Sequence, residues 1–192
     1  MLNEIVFDIE TQNTFDEVGG YFTDKLKLSV IGVYFFATDE YKAFEQADLP
    51  TLFPLFEKST RLIGFNSISF DLPVLNNYYM GDLRGLPQLD ILKEVEKSIG
   101  FRLKLDSIAQ ATLGMGKSGH GLQAVQWWRE GKVQAVKDYC LQDVKVTKEI
   151  YEFGLKNGYL LYDDRAGERQ VIEVDFRAVA TPPSAVNLTL GL

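Results

Sequence analysis

The run Val6-Phe7-Asp8-Ile9-Glu10 places two acids two positions apart inside an apolar stretch. Residues two apart in a strand point to the same face. Asp8 and Glu10 are therefore expected side by side, with Phe7 and Ile9 turned into the opposite layer. Paired carboxylates repel each other and are costly to take out of water. A strand keeps such a pair most readily when a cation holds it. The same spacing also occurs on solvated surface strands, so the pair needs other ligands before it reads as a metal site.

The rest of the chain predicts what surrounds that strand, which covers residues 4–9. Residues 10–27 are polar, contain Gly19-Gly20, and read as a loop. Residues 28–36 (LSVIGVYFF) form a nearly continuous apolar run, the pattern of a buried strand. A short strand follows at 41–45, then a helix to about residue 58 with Pro50 in its first turn. Residues 61–65 (RLIGF) read as a further buried strand. A helix is expected over 70–79, with Asp71 and Pro73 in its first turn, and a short strand at 88–91. The pattern from 91 to 154 is mostly helical. Its last helix, about 132–153, carries Val136, Cys140, Val144, Thr147 and Tyr151 at steps of three or four. Segments 159–163 and 170–176 look like a hairpin, and the tail from Ala178 looks irregular. The order predicts an α/β fold: a central mixed sheet flanked by helices, with the first strand and the 61–65 strand parallel. Residues 1–157 are expected to form the main domain, and 158–192 a hairpin and tail packed on it or extending from it.

At 192 residues the chain can bury a full core. It has no stretch of about 18 apolar residues, so no membrane span is expected. The first strand begins so near Met1 that no signal peptide is expected. A lone cysteine, Cys140, fits a reducing, cytoplasmic setting. The net charge of −7 argues mildly against nonspecific nucleic-acid binding. Its distribution qualifies that: residues 1–90 hold 6 basic and 14 acidic side chains, whereas residues 91–150 hold 10 and 7. Solvated helix faces are the plain reading of the basic third.

Two further acids stand where a site could gather. Asp71 follows the 61–65 strand, and active groups in open α/β sheets collect at the carboxyl ends of strands. It is equally a natural first-turn acid of a helix. Tyr139 and Asp143 are four apart on the last helix and share one of its faces. They read either as a boundary aromatic and an exposed acid or as members of a site. Asp8, Glu10, Asp71 and Asp143 together would make an oxygen-rich set without histidine or cysteine, which suits Mg²⁺ or Mn²⁺ rather than zinc. Two such ions about 4 Å apart can clamp the attacking and leaving oxygens of a phosphoryl displacement.

These residues fall in three motifs: Asp8-Ile9-Glu10-Thr11, Asn66 to Asp71 within IGFNSISFDLPVL, and Tyr139-Cys140-Leu141-Gln142-Asp143. In this order they resemble the DEDD exonuclease superfamily of the ribonuclease H-like fold, in the subgroup with a tyrosine. The sibling subgroup has histidine where this chain has Asp138. The second motif, and the run Leu105-Asp106-Ser107-Ile108-Ala109, are most similar to the proofreading exonuclease domain of family-B DNA polymerases. The resemblance covers about residues 4–155. It implies a three-layer ribonuclease H-like fold and a 3′–5′ exonuclease using two divalent cations, Mg²⁺ or Mn²⁺. Asp8, Glu10 and Asp143 would bind the tighter ion, and Asp8, with Asp71 through water, the second, while Tyr139 would orient water. The substrate implied is single-stranded or 3′-ended nucleic acid, DNA before RNA, with replication or repair proteins as associates. Thr11, Asn66 and Phe70 are candidate contacts to the terminal nucleotides, and core packing is an equal reading of Phe70. An RNA-directed exonuclease and a non-catalytic nucleic-acid-binding module on the same fold are the alternatives. The stretch 114–121, with Lys117 and His120, reads as a connector or a strand-guiding loop.

Overall fold

The computed structural model describes residues 3–115 and 121–177. Most of the 114–121 stretch and the tail from Ala178 lie outside the described residues.

Five strands build the main sheet in the order β3-β2-β1-β4-β5. They are β1 (Glu4–Thr11), β2 (Leu28–Phe35), β3 (Glu40–Glu45), β4 (Arg61–Gly64) and β5 (Gln88–Asp90). β1 is central. It pairs antiparallel with β2 and parallel with β4, which gives the mixed sheet the sequence predicts. Helices α1 (Phe15–Val18), α2 (Leu49–Lys58) and α3 (Asp71–Leu75) lie between strands. After β5 come α4 (Ile91–Ile99), α5 (Leu105–Leu113), α6 (Gly121–Arg129) and α7 (Val133–Asn157). A hairpin of β6 (Tyr159–Asp163) and β7 (Arg169–Glu173) follows.

The alternation in β1 sorts its side chains as expected. Ile5, Phe7 and Ile9 join a core with Leu52 and Phe56 of α2 and Leu72 of α3. Val6 faces the other layer, with Val144 and Ile150 of α7 and Ile108 of α5. The α7 stripe of Val136, Cys140, Val144, Thr147 and Tyr151 is fully buried. Burying a large side chain of this kind stabilises by about 1.5–3 kcal/mol, so the stripe rather than helix propensity seats α7. A Cβ on Gly32 of β2 would stand 3.0 Å from Cys140 Sγ and 3.0 Å from Val144 Cγ2. The missing side chain lets α7 lie close against β2.

Two segments depart from the sequence reading. The helix expected over 70–79 ends at Leu75. Beyond it, the side-chain oxygen of Asn76 accepts from the Leu83 N–H, and the Asn77 amide donates to the Thr23 carbonyl. Asparagines that serve distant backbone groups compete with the helix ladder. Within the expected 10–27 loop, β1 runs on to Thr11 and α1 forms behind a capping box. Thr14 Oγ1 accepts from the Glu17 N–H, Glu17 accepts from the Thr14 N–H, and Gly19 takes φ +82° at the end.

The hairpin shares the core. Leu160, Ile172, Val174 and Phe176 pack in the same cluster as Val6 and Ile63. The Phe176 ring stacks on Tyr151, and the Phe176 carbonyl accepts from Arg61 Nη1 at 2.8 Å. A side chain at Gly154 would collide with that ring. Arg61 also donates through Nε to Glu4 Oε1 at 3.0 Å, while the Tyr151 hydroxyl donates to Glu4 Oε2 at 2.7 Å. The buried ion pair is tolerated because its polar atoms find partners.

Candidate active site

The acids of β1 lie beneath α7 at the carboxyl end of the strand. Asp8 and Glu10 come from one face of β1 by the two-residue period, and Asp143 descends from α7. One carboxylate oxygen from each lies within 4.8 Å of the others. Glu10 is buried, and Asp8 and Asp143 are partly buried. Burial pushes the Asp8 carboxyl well above its ordinary value, and the charges of Asp71, Asp143 and Glu10 push it further. Burial likewise raises Glu10, with Asp143 and Asp71 adding to it. Three carboxylate oxygens this close, two of them from acids held above their ordinary pKa, form a donor set that a hard divalent cation would neutralise. The set is carboxylate only, which fits Mg²⁺ or Mn²⁺.

Cys140 sits directly under Asp8. Its Sγ accepts from the Gly32 N–H at 3.1 Å and donates to the Asp8 carbonyl at 3.3 Å. Asp8 and Gly32 are themselves cross-strand partners. The thiol thus ties α7 to both strands at the position of the acid.

Asp71 takes a different place. Its Oδ1 accepts from the Ile9 N–H at 3.1 Å, between the two acids of β1. It stands outside the group of three oxygens, though its charge acts on Asp8 and Glu10. Burial raises its carboxyl to about 7, against the backbone hydrogen bonds that lower it and with Asp90 adding to the rise.

Tyr139 reaches the acids from one turn before Asp143. Its ring meets Trp127 edge-on, with centroids 6.2 Å apart. Burial, the charges of Asp143 and Glu10, and a hydrogen bond with Asp143 all push its hydroxyl above the ordinary tyrosine value. The phenol is therefore protonated at neutral pH and acts as a donor rather than a base.

These groups open into a cleft of about 370 Å³. Asp8, Glu10, Asp143 and Tyr139 line its acidic side. Phe15, Leu26, Phe70, Leu122 and Val125 supply apolar walls. Thr11 lines the cleft, and its hydroxyl donates to the Asn13 carbonyl at 2.8 Å. Asn66 is not among the lining residues. It holds φ +66°, and its side-chain oxygen accepts from Arg102 Nη2.

Sequence reasoning missed Asp90. Its carboxylate accepts from the N–H groups of Asn66 at 2.8 Å, Ile68 at 3.0 Å and Leu92 at 3.0 Å. It caps α4 and also fixes the turn that leads to Phe70 and Asp71. An acid directly before the amphipathic run of α4 was the available signal. Leu122 and Val125 carried none, because apolar residues on a helix read as core.

No curated protein matches this chain. Among solved structures, the family B DNA polymerase from the hyperthermophilic archaeon Pyrobaculum calidifontis is similar, with a TM-score of 0.61 and 18% identity. The match covers 81% of this chain and 25% of the polymerase, so the chain spans about a quarter of that protein's length. At this identity the likeness is one of fold. A family model for the RNase H superfamily matches residues 5–153, most of the chain. The mixed sheet with its flanking helices has the same architecture, and the protein belongs to the RNase H superfamily.

Proposed function

We propose that the protein is a metal-dependent 3′–5′ exonuclease that hydrolyses single-stranded nucleic acid to nucleoside monophosphates. The observation that carries this reading is the group of Asp8, Glu10 and Asp143 within 4.8 Å, beside Tyr139 in an open cleft. RNase H superfamily membership supports a nuclease-type reaction. Likeness to a DNA polymerase is the reason DNA is placed before RNA, and replication or repair proteins among the associates.

Asp8, Glu10 and Asp143 would hold one Mg²⁺ or Mn²⁺, and Asp8, with Asp71 through water, a second. When bound, the ions supply positive charge at the scissile phosphate and acidify a water molecule. Tyr139, whose hydroxyl proton is engaged by Asp143, would orient that water through its hydroxyl oxygen. Asp71 holds β1 in register through the Ile9 N–H, which keeps Asp8 and Glu10 pointed together. Phe70, on the cleft wall, would stack on the terminal base.

The test is a 5′-labelled single strand incubated with the protein and Mg²⁺ or Mn²⁺. A ladder of shortened products that stops with EDTA and is lost in Asp8→Ala supports the reading. Absence of a ladder from both DNA and RNA strands overturns it.

A further inference from the structure

Tyr21 is 62% exposed, yet its position is fixed from two sides. Its ring stacks on Phe15, with centroids 4.4 Å apart and planes 25° apart. Its hydroxyl donates to the Ser69 carbonyl at 2.8 Å, within the segment that leads to Asp71. Phe15 lines the cleft and meets Phe70 edge-on at 5.8 Å. The three rings thus lead from the acidic group out of the cleft mouth. Holding an exposed side chain in one rotamer costs conformational entropy, and so little burial returns little of it. The adjacent Phe22 differs, because the Lys25 ammonium sits 4.1 Å over its ring.

We propose that Tyr21, backed by Phe15, is a stacking platform for an unpaired nucleobase upstream of the scissile bond. This rests on the exonuclease reading and adds a determinant of single-strand preference to it. Three features favour a base over other occupants. The near-parallel pair already forms a stack that another planar ring would continue. The platform is continuous with the cleft through Phe15. The Tyr21 ring remains largely exposed, which leaves it area for a further planar group to cover. In a duplex, each base already stacks on its neighbours, so a paired strand cannot offer one to the platform.

The test measures binding of a 5′-fluorescein thymidine tetranucleotide by anisotropy, with every variant in the Asp8→Ala background. Tyr21→Ala is expected to weaken binding about tenfold, the scale of one base stacked on an aromatic ring. Tyr21→Trp should restore it and Tyr21→Leu should not. The dependence of affinity on salt should stay unchanged, because no phosphate contact is removed. In the protein with Asp8 intact, the gain in kcat/KM on lengthening a dinucleotide to a tetranucleotide should be lost in Tyr21→Ala. Binding by Tyr21→Ala within twofold of the parent overturns the proposal, as does full restoration by Tyr21→Leu. If no strand is hydrolysed, the catalytic reading fails, and the anisotropy series still decides the platform.

Discussion

Replacing Asp71 with asparagine should stabilise the metal-free protein while lowering its activity. Burial raises the Asp71 carboxyl from 3.8 to about 7. From about pH 4 upward, the unfolded chain gives up this proton while the folded protein retains it. The wild type therefore loses about 1.4 kcal/mol per pH unit against the variant, and the loss levels off above about pH 7. Three units amount to about 4 kcal/mol. The amide keeps an oxygen for the Ile9 N–H but fits the site of a carboxylate imperfectly, which takes back about 1 kcal/mol. A net gain of about 3 kcal/mol corresponds to roughly 6–12 °C in Tm for a chain of this size. The assay is denaturant unfolding of both proteins in EDTA at whole pH units from 4 to 8. At the acid end the variant should be the less stable by up to about 1 kcal/mol, and the difference should reverse and grow up to pH 7. A gap that does not change with pH, or a variant less stable at pH 8, would refute the argument.

Tyr139→Phe should lower kcat about 100-fold with little change in KM, because it removes the hydroxyl that orients water and leaves the ring in place; steady-state kinetics on an oligonucleotide decide it. Gly32→Ala should cost about 1–3 kcal/mol and most of the activity, since the added methyl presses on Cys140 and Val144 and lifts Tyr139 and Asp143 with α7; unfolding and ladder assays on one preparation check both. Mg²⁺ or Mn²⁺ at 100 times its Kd should stabilise the protein at pH 8 by about 2.7 kcal/mol. That gain should shrink towards pH 5, because Asp8 and Glu10, with their raised pKa values, then hold protons that the metal must displace; calorimetric scans with and without metal measure the difference.

The layers, and most of the candidate site, are legible in the residues alone. Period-two alternation in β1 separated Ile5, Phe7 and Ile9 from Asp8 and Glu10, because a strand leaves its side chains no other choice of face. The stripe on α7 named the buried face, and four-residue spacing placed Tyr139 beside Asp143. Helix ends were less legible, since Asn76 bonds the backbone of Leu83 beyond the helix and Asn77 that of Thr23, far back along the chain.

How the acids divide emerges from the fold. It gathered Asp8, Glu10 and Asp143 and turned Asp71 to the Ile9 backbone, a distinction of a few ångströms that spacing does not encode. Asn66 bonded Arg102 and Asp90 took charge of its turn, because buried backbone N–H groups must find acceptors wherever the fold brings them. The hairpin joined the core for a comparable reason: Gly154 leaves a hollow that Phe176 fills, and complementarity between residues 22 apart exists only once the chain has folded.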